Sequence, residues 1–234
     1  RESCLVTEEV IKVYEELCPL APLHNPAGLL GLRAAKEAFG ADMPNVIVFD
    51  TAFHATMPPK SYMYALPYEY YEKYGVRRYG FHGTSHRYVS LAAAKFLGKK
   101  PEDLKIVTCH LGNGSSIAAV NGGKVLDTSM GMTPLAGLIM GTRSGDMDPS
   151  IPGYLMQQTG MTAAEVDAVM NKKSGLEGVS GVSSDNRDVT AAAAAGTQRF
   201  ALDLAALAAD PAAVQSWQQT AGDAGFTHFQ LLMQ

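Results

Sequence analysis

Along the first forty positions apolar residues recur every three or four places, the spacing of one face of a helix. In "EEVIKVYEEL" they are Val10, Ile11, Tyr14 and Leu17, and Thr7 stands where an N-cap belongs. The prolines of "PLAPLHNP" impose an extended path, because each biases its predecessor away from the helical region. Asn25 and Pro26 then open a second helix, "AGLLGLRAAKEAF", which Gly40 closes. The pattern changes at "NVIVFD", a β-branched and aromatic run that predicts a strand buried on both faces and ending in the carboxylate of Asp50.

Next, "YEYYEKYG" predicts a short helix and "VRRYGFHG" a strand leading into a tight glycine turn. Thr84 or Ser85 caps "HRYVSLAAAKFLG", with Val89, Ala93 and Phe96 inward and Gly98 as the stop. "LKIVTCHL", "SSIAAVN" and "KVLDTS" predict three antiparallel strands, the second and third joined at Asn121-Gly122-Gly123, a strong hairpin signal. Asp148-Pro149 and the capping box of Thr162 with Glu165 start two more helices. The alanine-rich run after Arg187 predicts a helix interrupted at Gly196, and the last residues carry little periodicity. Helices alternating with strands, with a hairpin inside, place the chain in the α/β class.

Composition narrows the function. The chain has 234 residues, 47% hydrophobic and 18% charged, enough for one large core or two modest ones. A formal charge of -4, with no basic run beyond Arg77-Arg78 and Lys172-Lys173, argues against a nucleic-acid partner. Cys4, Cys18 and Cys109 form no C-x-x-C pair, so a reducing, cytoplasmic setting fits better than a disulfide framework or a thiolate zinc site. No apolar stretch reaches membrane-spanning length and no basic-then-apolar leader opens the chain, so a membrane partner is not expected. A start at Arg1 predicts a piece of something longer.

Candidate chemistry gathers at a few places. In "HLGNGSS" the residues Gly112 and Gly114 let backbone N–H groups approach a ligand, and such amide concavities bind phosphate oxygens. A plain hairpin turn needing positive φ is the competing reading, and both stand. No lysine follows, so this is not a P-loop. Asp50, beyond the carboxyl end of a strand, is placed for a magnesium or phosphate site, or is simply a turn aspartate. Gly83 puts His82 on a turn and only His86 on a helix; His86 reads as a satisfied buried group, and His54 and His110 are read with the same restraint. Arg143, on the small-residue loop "MGTRSGDMDPS", is either a phosphate clamp or a surface partner of Asp146 or Asp148.

Taken in order, "APLHNP", "FDTAFHATMP", "YALPYEYYEKYGVRRYGFHGTSHRYV", "CHLGNGSS", "DTSMGMTPLAGLIMGTRSGDMDP" and "NKKSGLEGVSG" resemble the acetate kinase (acetokinase) family, from about Glu2 to about Ala206. The resemblance implies the two-domain α/β fold shared by acetate and sugar kinases, Hsp70 and actin (ribonuclease H-like), present here incompletely. Residues 1–51 would be the remainder of an N-terminal domain, 52–208 part of a C-terminal domain, and 209–234 a tail unlike the family. It also implies Mg2+-dependent phosphoryl transfer between ATP and acetate, giving acetyl phosphate and ADP, in a homodimer. By motif, His82 and Arg143 would stabilise the phosphoryl group in flight, and Asp50 would sit near the magnesium and the acyl substrate. Asn113, with Gly112, Gly114 and His110, would contact nucleotide phosphate. Leu23, His24, Phe81 and Pro134 would border the acyl substrate. A small acyl pocket separates acetate from propionate by about 1–3 kcal/mol, so some propionate turnover is expected.

The family's opening N-x-G-S-S-S turn, its upstream carboxylate-binding arginine, its G-G-I-G-E-N adenine-side motif and its late magnesium-linked glutamate have no counterpart here. A chain without them is expected to bind nucleotide poorly and turn over little. The competing functions are a propionate or short-chain acyl kinase, a non-catalytic dimerising remnant, and a metallohydrolase built on Asp50, His54, His82, His86 and His110.

Overall fold

The computed structural model describes residues 3–18, 25–40, 42–196 and 228–229. Its contacts divide the chain into two units, residues 1–52 and 53–234.

In the first unit β1 (Cys4–Leu5) leads into α1 (Glu8–Glu16) and α2 (Asn25–Phe39), and β2 (Val46–Ile47) returns antiparallel to β1. Thr7 Oγ1 accepts from Val10 N–H at 3.2 Å, so the N-cap read from the pattern forms. Asn25 is the first helical residue of α2, and its Nδ2 donates to the Leu17 carbonyl at 2.8 Å, tying the two helices. Glu8 pairs with Lys36 and Glu15 with Arg33 across them, exposed pairs that contribute little. The run "NVIVFD" departs from its expectation. Only Val46 and Ile47 pair, and Val46 and Val48 are each 58% exposed. A strand buried on both faces needs elements packed against each face, and Val46 and Val48 lack that cover among the described residues. Asp50 follows in an exposed turn.

The second unit runs through α3 (Pro59–Tyr62), α4 (Tyr68–Tyr74), α5 (Gly83–Phe96), β3 (Lys105–Leu111), β4 (Ser115–Asn121), β5 (Lys124–Thr128), α6 (Ile151–Thr159), α7 (Ala163–Lys172), α8 (Gly175–Ser180) and α9 (Asn186–Ala194). A short β6 (His228–Phe229) completes a sheet of order β5-β4-β3-β6, antiparallel except that β6 runs parallel to β3. The predicted meander is therefore present. At its second turn Asn121 faces Lys124 across Gly122 (φ 58°) and Gly123 (φ 74°), the paired positive angles of a two-residue hairpin. Thr162 and Glu165 form the expected capping box on α7, and Gly196 (φ 68°) lies beyond the end of α9. No helix among the described residues is long and apolar enough to cross a membrane.

Two expectations fail around α5. "VRRYGFHG" is not a strand: Arg78 N–H donates to Tyr62 O, while Tyr79 and Gly80 N–H both donate to Gly131 O. Two arginines hold this segment, Arg77 with its guanidinium 3.7 Å from the Tyr62 ring centre, and Arg78 donating to the Thr128 carbonyl. The helix also starts earlier than expected. His82 is its N-cap in the left-handed region (φ 59°), so Thr84 and Ser85 lie inside the first turn. The buried stripe is Gly83, His86, Ser90, Ala93 and Ala94, whereas Phe96 is 84% exposed. A face that contains His86 and Ser90 returns at 93 and 97 on a 3.6-residue period, which leaves position 96 outside it. Ala93, Ala94 and Leu97 pack on Leu104 and Ile106 at the start of β3, and Met57, Val120 and Val125 form a second core with Phe53 and Tyr62.

Candidate functional site

Side chains two apart on a strand share a face, so Ile106, Thr108 and His110 of β3 all point the same way. The register puts Ala118 opposite Thr108 and Ser116 opposite His110. This face changes from apolar to polar toward the end of the hairpin. Helix α5 lies along it: Ala93 and Ala94 cover Ile106, and nearer the helix N-terminus His86 and Ser85 meet the polar end.

Four polar contacts organise that end. His86 places Nδ1 2.8 Å from Thr108 Oγ1 and Nε2 2.8 Å from Ser116 Oγ. His82 Nδ1 lies 2.7 Å from the same Ser116 oxygen, and His110 Nδ1 is 2.9 Å from Ser85 Oγ. The His82 and His110 rings stack at 4.0 Å between centroids, 25° apart. Thr108 and Ser116 drew no reading from the sequence, and Ser85 only one as a helix cap.

His86 is 1% exposed. Burial, and then its neighbours His54, His82 and His110, push its pKa down to about 3. A histidine neutral when folded but ready to protonate when unfolded costs stability in acid. That contribution is complete above the unfolded value near 6.5, is lost as pH falls from there toward 3, and changes by about 1.4 kcal/mol per unit across that window. Urea midpoints measured from neutral to acid pH should fall along this limb, and His86→Gln should flatten it while lowering the plateau.

Gly112, Asn113 and Gly114 join β3 to β4. Gly112 N–H donates to Gly114 O at 3.1 Å and Ser115 Oγ donates to Gly112 O at 2.9 Å. Neither Gly112 nor Gly114 has a positive φ, so the plain-turn reading does not account for these glycines. Close approach does so at Gly114. A Cβ there would lie 3.2 Å from Arg143 Nη1 and 3.3 Å from His82 Nε2. A guanidinium, an imidazole and a bare backbone therefore surround one small volume.

Arg143 reaches it from the loop after β5. Gly141 N–H donates to Asn113 O at 3.0 Å, and the Asn113 side-chain oxygen lies so close to Gly141 that a Cβ would collide with it. Arg143 Nη1 donates to Pro134 O at 3.1 Å, and Met140 Sδ is 3.7 Å away. Asp146 instead accepts from Gly137 N–H and Asp148 from Ser150, both at 2.8 Å. Arg143 is in none of the ion pairs among the described residues, which removes the surface-pair reading. Burial lowers its pKa, yet a guanidinium keeps its proton at any ordinary pH. Gly175 (φ 64°) backs this loop, and a Cβ would strike the carbonyls of Met140 and Arg143. Gly175→Ala should therefore cost at least about 2 kcal/mol in urea unfolding, since strained backbone and overpacking add.

Of the residues marked from the sequence, His82, His110, Gly112, Asn113, Gly114, Pro134 and Arg143 come together in the second unit. Phe81 is half-buried beside His82 in the chain. Asp50 belongs to the first unit, and Leu23 and His24 lie outside the described residues. No group of three or more His, Cys, Asp or Glu among the described residues is disposed to hold a metal ion. Both ring nitrogens of His86 are engaged by hydroxyls, which takes that histidine out of the metallohydrolase reading.

The profile of the Acetokinase family matches residues 1–208. The chain is 61% identical over 203 residues to the acetate kinase of Geobacillus kaustophilus, covering 87% of this chain and 51% of that protein. With the acetate kinase of Thermotoga maritima the identity is 62% over 199 residues, covering 85% and 49%. Among solved structures, Porphyromonas gingivalis acetate kinase superposes with a TM-score of 0.78 at 54% identity, covering 84% of this chain and 49% of that one. A propionate kinase from Francisella tularensis gives 0.79 at 48%, covering 83% and 50%. The chain thus spans about half the length of the curated relatives it matches. It carries part of the actin-like fold of acetate and propionate kinases. With residues 1–208 under one profile and identities near 60% to curated members, the chain belongs to the acetokinase family.

Proposed function

We propose that this chain carries the phosphoryl-transfer half of an acetate kinase site, acting between ATP and acetate to give acetyl phosphate and ADP. The observation that carries the reading is the small volume at Gly114, bounded by Arg143 Nη1 and His82 Nε2, with the arginine free of carboxylates among the described residues. In phosphoryl transfer the charge spreads over three equatorial oxygens, so fixed donors around the group lower the barrier more than any covalent step. Arg143 supplies a planar, permanently charged fork, His82 a second donor once its Nε2 is protonated, and the absent Gly114 side chain the room for the oxygens. Asn113 and His110 are assigned to the nucleotide phosphates, and Pro134, whose carbonyl holds Arg143, and Phe81 to the acyl substrate, the role the family resemblance also gives Leu23 and His24. Asp50 is assigned to the magnesium and acyl end.

The donor set fits a phosphate chain. It does not by itself fit a protein-held Mg2+, because the described residues assemble no ligand cluster. Mg2+ is bound by such enzymes largely through substrate phosphates and one or two carboxylates, so no step is assigned to it. The domain reading (residues 1–51 and 52–208), a homodimer and a cytoplasmic setting complete the proposal. The function is tested by placing residues 1–208 in the Geobacillus kaustophilus acetate kinase in place of its matching half. Acetyl phosphate formation with kcat/KM for acetate about 10-fold or more above that for propionate is expected. A folded hybrid that phosphorylates neither acid refutes the reading, and a preference for propionate would favour the short-chain acyl kinase instead.

A further inference from the structure

Thr108, His86 and Ser116 stand behind the phosphate-facing groups, yet their hydrogen bonds form one continuous chain that ends on His82. The donors along it can be ordered. Thr108 Oγ1 has one proton, and directing it to the Ala118 carbonyl at 3.4 Å makes the oxygen the acceptor for His86 Nδ1–H at 2.8 Å. Neutral His86 then carries its proton on Nδ1 and accepts at Nε2 from Ser116 Oγ, 2.8 Å away. A serine hydroxyl has a single proton. Having given it to His86, the Ser116 oxygen can only accept from His82 Nδ1 at 2.7 Å.

We infer that Thr108, His86 and Ser116 are positioning residues that hold His82 in its Nδ1–H form and make Nε2, the nitrogen facing Gly114 and Arg143, the one that gains and loses a proton. The role rests on the phosphoryl-transfer reading; the tautomer does not. A neutral His82 in this form presents a lone pair, which repels a phosphoryl oxygen. Donation therefore requires that Nε2 take a proton from solvent, giving an imidazolium with N–H on both sides. The groups facing His82 explain when that happens. The Arg143 guanidinium disfavours a second cation beside it, whereas an oxyanion set between Arg143 and Nε2 favours one. Occupation of the site by phosphate and protonation of His82 are thus one coupled event. His86, buried and neutral, has one donor and one acceptor nitrogen to pass along the chain, and the Thr108 proton spent on Ala118 O sets its direction.

Nitrogen-15 NMR of the 234-residue chain labelled at histidine tests this directly. At mildly alkaline pH His82 should show a protonated-type Nδ1 and an unprotonated-type Nε2. Inorganic phosphate should move Nε2 to the protonated type with Nδ1 unchanged. Ser116→Ala should release His82 to a mixture dominated by Nε2–H, and Ser116→Thr, which keeps a hydroxyl, should restore the original form. A purely structural serine would leave the tautomer where it was. An Nε2–H form in the parent chain, or an unaltered tautomer in Ser116→Ala, overturns the inference. Because no turnover is measured, an inactive hybrid enzyme would refute the proposed function and leave this result standing.

Discussion

Arg143→Ala in the hybrid enzyme should lower kcat by about 10³-fold while leaving the urea midpoint nearly unchanged. The expectation rests on what surrounds the guanidinium. It is half-buried, donates to the Pro134 carbonyl, and belongs to no ion pair among the described residues, so it is not held in place as a structural counter-ion. Partial burial of a cation without a carboxylate partner costs free energy in the folded chain. That cost is offset only when an anion arrives, which is why the loss should fall on catalysis and not on folding. Arg143→Lys should recover little, since a lysine offers a point charge in place of a fork spanning two oxygens. Steady-state kinetics with unfolding curves on the same samples check both halves. A tenfold or smaller drop in kcat, or a matching loss of stability, would reassign Arg143 to the fold.

The second large effect is expected at Gly114. A methyl group there would sit 3.2 Å from Arg143 Nη1 and 3.3 Å from His82 Nε2, inside the space we propose for the phosphoryl oxygens. Gly114 has no positive φ, so alanine meets no backbone strain, and any change in stability should be small, set by how far the ends of the Arg143 and His82 side chains give way. Activity should nevertheless fall about 10²-fold, because displacement of the reacting group by roughly an ångström costs that much. Gly112→Ala is the control. A Cβ at Gly112 would approach nothing nearer than the Gly114 carbonyl at 3.4 Å and His110 Nε2 at 3.6 Å, ordinary contacts, so its effect should be several-fold at most. Equal losses in the two variants would mean that the turn, and not the volume beside it, is what activity needs.

Much of this was legible in the sequence, for reasons tied to particular residues. Thr7 and the Thr162–Glu165 box announced their helices because capping is a local interaction within one turn. The meander was legible because Gly122 and Gly123 supply angles few other residues adopt. The start of α5 was not, because a histidine in the left-handed region has no marker in its neighbours. "NVIVFD" was misjudged because burial depends on what packs against a strand, and that lies elsewhere in the chain. At the site, His82, Asn113, Gly114 and Arg143 were singled out through family motifs and lie together in the second unit, whereas residue chemistry alone left each ambiguous. Asp146 and Asp148 looked like equally good partners for Arg143 until their carboxylates were found on Gly137 and Ser150. Ser116 and Thr108 were overlooked because a hydroxyl on a strand is commonplace; only the register, which sets Ser116 beside His110 and Ala118 beside Thr108, brings them onto the face that α5 covers.

The most direct measurement is a crystal structure of the chain grown with acetyl phosphate. The account predicts the phosphoryl group beside Gly114, within hydrogen-bonding distance of the Arg143 guanidinium and of His82 Nε2, with Asn113 at its edge. A phosphoryl group bound elsewhere, with Arg143 still donating to Pro134 and the Gly114 volume holding only solvent, would contradict it.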